Sequence, residues 1–356
     1  MGNANRPLRL DRRAVLGGIA AGLAGSWAAV AKDPDDPLGA PSPIEISGRP
    51  ILHFDRSRPE VRRFGELEFR GGLVLTSPSE HFGGLSGLVM EADGKRLLAV
   101  SDVGTWLVAE VGYDGQGRPR GLANARIGPL LTSKGQSLAV KREQDAEAVA
   151  LLDGNLARGT LLIGFERHHR IERFEVRERQ VRAPAGALRL PPEAMRMRAN
   201  QGIEALAVLR AGANQGAIVA FAERMTGGSG YHTGWIWIKG EPRRIQLRDI
   251  DGFNITDAAG LPDGGLLVLE RYFRWTEGVK MRIRRLTAAE IVPGAKLEGR
   301  VVVQADSGFE IDNMEGIAVH RGDRGETVVS LVSDDNFNHF LQRTLFLQFT
   351  LLDDRV

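Results

Sequence analysis

One phrase recurs five times along this chain. It opens on a small or acidic residue followed by Gly or Ala, runs through an apolar strand and a turn, and closes on a second apolar strand ending in charge. The copies are Leu85-Ser86-Gly87-Leu88 with Leu97–Asp102, Glu147–Ala150 with Thr160–Arg167, and Glu204–Ala207 with Ala217–Arg224. Asp257–Gly260 with Gly265–Arg271, and Glu315–Ala318 with Thr327–Asp335, complete the set. The openings at 86, 147, 204, 257 and 315 give a period of 53–61 residues. A period of this size with several short strands per unit is the signature of a radial β-repeat.

A third strand follows each phrase (Trp106–Val111, Arg170–Val176, Gly234–Ile238, Val279–Leu286, Thr344–Leu352), and a fourth, more polar stretch follows the first four. Asp-Gly turns at 93–94, 153–154 and 263–264 punctuate the hairpins. The best helical candidate, Pro192–Arg198, is too short to count. The expected fold is therefore all-β: a β-propeller with five countable blades. A sixth remains open in residues 44–84, where Ile44–Ser47 and Ile51–Phe54 are strand-like. The last copy lacks a fourth strand, and Leu67–Thr76 has no copy of its own. That N-terminal strand is expected to complete the last blade, closing the ring and removing its exposed edges.

The start of a hairpin's first strand and the end of its second lie at one end. Each phrase therefore brings its terminal polar residues to one rim. Glu147, Glu204, Asp257 and Glu315 are expected around the channel mouth, with Asp102 and Asp334 nearby, as a divalent-cation set. Behind them the dipeptides Glu166-Arg167, Glu223-Arg224 and Glu270-Arg271 are the candidate catalytic groups. Crowded carboxylates repel and take up protons unless cations intervene. An oxygen-only donor set favours Ca²⁺. Zero cysteine excludes disulfides, thiolate metal sites and cysteine nucleophiles, and scattered histidine disfavours zinc. No organic cofactor is indicated. Ser86 lies in Leu-Ser-Gly-Leu rather than a nucleophile elbow, which disfavours a serine hydrolase. His168-His169 reads as a surface turn near the mouth, and His320 as structural. The competing account of the Glu-Arg pairs is that they tie neighbouring blades together.

Residues 1–31 read as an address. Arg6, Arg9, Arg12 and Arg13 precede a Gly/Ala-rich apolar run that ends in Ala29-Val30-Ala31, a signal-peptide pattern with a paired arginine of the twin-arginine type. Residues 32–43 read as a flexible leader and 44–356 as one propeller domain. The expected location is periplasmic or secreted, with the twin-arginine translocase as partner during export and no stable membrane span after cleavage. The formal charge of +2 falls to −1 without residues 1–31, which removes the main support for a nucleic-acid partner.

Phe82–Leu88 followed by Leu98–Gly104, Asp145–Ala150, Phe165-Glu166-Arg167, Asn200–Leu206 and Asn313–Ala318 resemble the phytase-like, esterase-like family of exported bacterial propeller proteins. The resemblance spans about Gly65 to Leu352. It implies metal-dependent ester hydrolysis on a small anionic or ester substrate. A non-catalytic propeller binding a ligand or partner in the cell envelope is the alternative expectation.

Overall fold

The computed structural model describes residues 38–198, 201–223 and 230–352. The expected export signal, most of the leader and Arg224 lie outside them. The described residues form five antiparallel blades. Blade 1 contains Leu85–Met90, Arg96–Ser101, Thr105–Tyr113 and Pro119–Pro129; blade 2 contains Ala146–Gly154, Arg158–Phe165, Arg170–Arg177 and Gln180–Leu188. Blade 3 contains Ile203–Val208, Ile218–Ala222, Tyr231–Ile238 and Glu241–Arg248; blade 4 contains Asn254–Gly260, Leu266–Arg274, Gly278–Leu286 and Arg300–Ala305. Blade 5 contains Asn313–Arg321, Thr327–Asp334, Thr344–Leu351 and, from the other end of the chain, Leu67–Thr76. Each copy of the repeated phrase is thus the inner hairpin of one blade.

The closing strand pairs antiparallel with the last strand, from Thr344 opposite Leu75 to Leu351 opposite Leu67. Ser47–Ile51 adds to the outside of the same blade, so residues 44–84 make no sixth blade. The last two residues of the expected leader, Ser42–Pro43, pair with the outer strand of blade 1. Blade 3 likewise gains the short parallel strand Lys296–Leu297. Outer edges capped by two-residue strands offer little for another chain to pair with. Helix is confined to single turns at Lys141–Gln144 and Ala194–Arg196 among the described residues.

Five apolar clusters hold the ring, one at each seam between blades. Successive side chains of a strand point to opposite faces. Leu161 and Ile163 accordingly pack toward blade 1, and Leu162 between them packs toward blade 3. A sheet buried on both faces needs apolar residues at consecutive positions. This is why the second strands read as unbroken apolar runs rather than alternating ones. Where inner strands cross near the axis there is little room. A Cβ on Gly316 would stand 3.1 Å from Leu88 Cβ, and one on Gly87 would meet the Val149 amide nitrogen at 3.0 Å.

The seam between blades 4 and 5 is sealed by the N-terminal segment. Phe54 is fully buried, with ring centroids of Phe64, Phe69, Phe309 and Phe349 at 5.0–5.6 Å. Truncating it removes a large apolar side chain where the surroundings cannot collapse. Phe54→Ala is expected to destabilise the propeller by about 3–5 kcal/mol, read as a lower urea midpoint at unchanged slope.

Candidate active site

A β-bulge sits at the same point of every inner strand. The paired residues skip one position each time, leaving Ser86, Glu147, Glu204, Thr256 and Glu315 without a cross-strand partner. A bulge re-aims the extra residue, and here all five occupy the mouth end of their strands. The second strands supply a matching ring, one residue past the last pair beside each bulge: Asp102, Glu166, Glu223, Arg271 and Asp334.

These registers correct the blade 4 assignment. Its bulge residue is Thr256, not Asp257, and its second-ring residue is Arg271, not Glu270. A shift of one residue exchanges the two faces of a strand. Asp257 faces into the ring, fully buried, and its carboxylate accepts the Ile317 and Ala258 amides at 2.8 Å and also the Leu206 amide. It therefore ties blades 3, 4 and 5 together at the axis. Glu270 points away from the mouth into a buried cluster. It accepts from Arg282 Nε at 2.8 Å and from Arg284 Nη2. Those guanidiniums also donate to the carbonyls of Ile250, Arg248 and Glu298.

Each seam at the mouth is latched by the residue two positions before a bulge. The Gly202 amide donates to Glu166 at 3.1 Å, and Asn254 Nδ2 to Glu223 at 2.9 Å. Arg271 donates to Asn313 and also lies 3.3 Å from Glu315. The Gly84 amide donates to Asp335, which also accepts from Thr344 and pairs with His339. Between blades 1 and 2 the latch is ionic. Lys141 bridges Asp102 and Asp145 at 2.9 and 2.8 Å, and Arg167 donates to Asp145 as well. The two hydroxyl members of the bulge ring also latch seams: Ser86 donates to the Ala146 carbonyl and Thr256 to that of Met314.

Three carboxylates of the bulge ring remain. Glu147, Glu204 and Glu315 keep partial exposure at the floor of the mouth. Desolvation, then their acidic neighbours, pushes Glu147 and Glu204 well above the ordinary carboxylate range. Burial likewise raises Glu166 and Glu315 to about 7 and Asp334 to about 8. Oxygens of Asp145, Glu147 and Glu166 come within 4.8 Å of one another, as do those of Glu166, Glu204 and Glu223. Glu166 thus joins two three-carboxylate clusters across blades 2 and 3. Asp102, Glu315 and Asp334 are at the mouth but outside both clusters. Lys141, Arg167 and Arg271 stand among these acids, and each is held by acids or amides.

Sequence reading missed Asp145, Lys141 and Asn313. Asp145 was within reach, since it stands two residues before Glu147 as Asn313 does before Glu315. Lys141 comes from the connection between blades, which carries no repeat. Of the histidines, His169 is buried with Nε2 3.3 Å from the Met197 carbonyl, and His320 is buried on the far side. Burial lowers the His320 imidazole to about 4, so it remains neutral there.

A family model described as phytase-like, esterase-like activity of phytase, matches residues 80–337. None of the curated proteins matches the sequence. Among solved structures, the β-propeller domain of Cps50 (Swd1) from Myceliophteria thermophila aligns over 88% of this chain and 99% of its own. The identity is 11% and the TM-score 0.39.

The two relocated acids have a stability signature. Glu270→Ala leaves two buried guanidiniums without their carboxylate and is expected to cost about 3–5 kcal/mol. Asp257→Ala leaves axial amides unpaired, at about 1–3 kcal/mol each. Urea unfolding measures both, and neither variant is expected to change cation affinity by isothermal titration.

Proposed function

The chain belongs to the phytase-like family, and on that premise we propose that it hydrolyses phosphate or carboxylic esters with a divalent cation, Ca²⁺ foremost, at the acidic mouth. The observation that carries this reading is the pair of carboxylate clusters sharing Glu166. Desolvation and neighbouring acids dominate the surroundings of the Glu147 and Glu204 carboxylates, and among the described residues Asp102 Oδ1 is buried without a hydrogen-bond partner. Oxygen donors at this density fit a hard cation. A structural role accounts for the Glu-Arg dipeptides, Glu270 in its buried cluster and Glu166, Glu223, Arg167 and Arg271 at the seams, but not for Glu147 and Glu204, which stand outside the dipeptides and belong to the carboxylate clusters. That difference favours the hydrolase over the envelope-binding alternative.

In this reading Asp145, Glu147, Glu166, Glu204 and Glu223 hold the cation. When bound, the ion supplies Lewis-acid polarisation of the ester and a more acidic water. The chain's own groups do the rest. Arg271, fixed by Asn313 and Glu315, presents a positive charge to the anionic part of the substrate. Glu315, raised to about 7 beside that guanidinium, can hold a proton near neutrality and give it to a leaving oxygen. Asp334, raised to about 8, can store one. The N-terminal arginines and small-residue run support export through the twin-arginine route and, with it, an activity in the periplasm or outside the cell. Among the described residues, no helix is long and apolar enough to cross a membrane.

The raised acids set the pH behaviour. A carboxyl whose pKa is higher in the folded state contributes stability below its unfolded pKa. That contribution is lost as pH rises through the folded value. With folded values of about 7 for Glu166 and Glu315 and about 8 for Asp334, the metal-free protein is expected to lose thermal stability as pH rises from about 5 to about 8. Added Ca²⁺ is expected to raise the melting temperature more at the upper end, with protons released on binding. A calcium effect that is equal at both ends would contradict this.

Turnover of p-nitrophenyl phosphate and p-nitrophenyl acetate, with Ca²⁺ or with EDTA, tests the activity itself. Turnover is expected with Ca²⁺ and not with EDTA. Glu147→Gln is expected to reduce it by about 100-fold or more while the fold persists. No turnover with any divalent cation, together with no bound metal, would overturn the proposal.

A further inference from the structure

Strand 1 of each blade starts at the mouth, so the connections between strands 2 and 3 and between blades lie on that side. Among the described residues, Val140, Met195, Trp275, Phe340 and Leu341 are exposed in those connections, and Phe273 at the mouth end of its strand. Leu52, Val292 and Val301 are exposed elsewhere, so six of nine such side chains lie on the mouth side, which marks a contact surface. It is densest across blades 4 and 5. Leu267 and Leu269 pack into the seam with blade 5, and strand alternation puts Arg271 and Phe273 on that same face. Trp275, 92% exposed at the hairpin tip, meets Phe273 edge-on at 5.6 Å. The corresponding strand 2–3 loop of blade 5 carries Phe340 and Leu341, 87% and 72% exposed. This is also the sector where both acid rings are interrupted, by Thr256 and Arg271, whereas Ser86 of blade 1 interrupts the bulge ring alone.

We propose that this lip of blades 4 and 5 binds the apolar part of an amphiphilic ester whose single anionic head lies at Arg271 and the acidic mouth. The substrate class is then an alkyl or aryl monoester rather than a densely phosphorylated polyanion. Charge points the same way. Lys141 and Arg167 are pinned by Asp102 and Asp145, so many anionic groups would face unneutralised carboxylates. An aromatic side chain covered by an alkyl chain loses apolar surface to solvent, and two or three such contacts are worth at least about tenfold in affinity. Calling the ligand a substrate rests on the hydrolase reading; the binding does not.

Trp275 reports on the lip, because Trp106, Trp235 and Trp237 are buried; Trp27 lies outside the described residues, and its emission is separated by the Trp275→Phe variant. The full chain with Ca²⁺ is titrated with octyl phosphate, methyl phosphate or myo-inositol hexakisphosphate while iodide quenching of tryptophan emission is followed. Trp275→Phe identifies the quenched component. Octyl phosphate is expected to shield it, and the other two are not. Phe273→Ala with Phe340→Ala, both at exposed sites, is expected to lower the octyl-to-methyl affinity ratio at least about tenfold at an unchanged urea midpoint. Equal quenching with all three ligands, tighter binding of the hexakisphosphate, or an unchanged ratio in the double variant would overturn the proposal. Shielding by octyl phosphate without turnover of any ester would support the lip while removing the hydrolase reading. Turnover of p-nitrophenyl phosphate without shielding would do the reverse.

Discussion

Every blade of this propeller is a sheet with two apolar faces, and each face is covered only by a neighbouring blade. The five clusters at the seams are the core, and no blade owns one alone. The ring must therefore close, or two apolar faces would meet water. Closure falls to Leu67–Thr76, brought from one end of the chain to pair with the strand at the other. A chain without disulfides gains a tie between its ends in this way. The aromatic cluster around Phe54 then covers the seam beside that junction.

The mouth inherits its geometry from this packing. The inner strands come so close at the axis that glycine or alanine is needed where they cross, and Asp257 fits only by accepting amides from the blades on either side. Bulges one step nearer the mouth turn five side chains out of the ladder. Two are hydroxyls that bond to the next blade, and three are carboxylates, of which Glu315 pairs with Arg271 of blade 4. The same device that fastens blades 1 and 4 to their neighbours thus leaves blades 2, 3 and 5 with acids facing one another. Burial and mutual repulsion raise those acids, and a bound cation would relieve both.

Much of this was legible in the order of residues. Apolar runs at a fixed period gave the blades, because a sheet buried on both faces leaves no polar positions to blur the pattern. The orphan strand Leu67–Thr76 gave the closure, because an incomplete last unit leaves an unpaired edge. Glu147, Glu166, Glu204 and Glu223 were found because their spacing repeats. Blade 4 was misread by one residue because Asp257 and Glu270 imitate the acids of the other blades. Only hydrogen-bond register distinguishes a bulge from the residue after it. Lys141 escaped because its connection follows no repeat, and Asp145 was passed over although its place two residues before Glu147 recurs in the other blades; their nearness to Asp102 and Glu166 exists only once blades 1 and 2 stand side by side.

The sequence alone determined an all-β ring of at least five repeated units, the strand that closes it and an acid-rich rim, since each follows from local periodicity or from an unsatisfied edge; the structure excluded a sixth blade in residues 44–84. Tertiary structure alone decided which acids share a site. A one-residue offset sends a side chain either to the mouth or to the interior, and that offset is set by the pairing of strands far apart in the chain. It also decided that Arg271, the one arginine of the two rings among the described residues, shares a strand face with the exposed Phe273. That placement follows from the register that turns Arg271 to the mouth and Glu270 away from it, and no spacing along the chain records it.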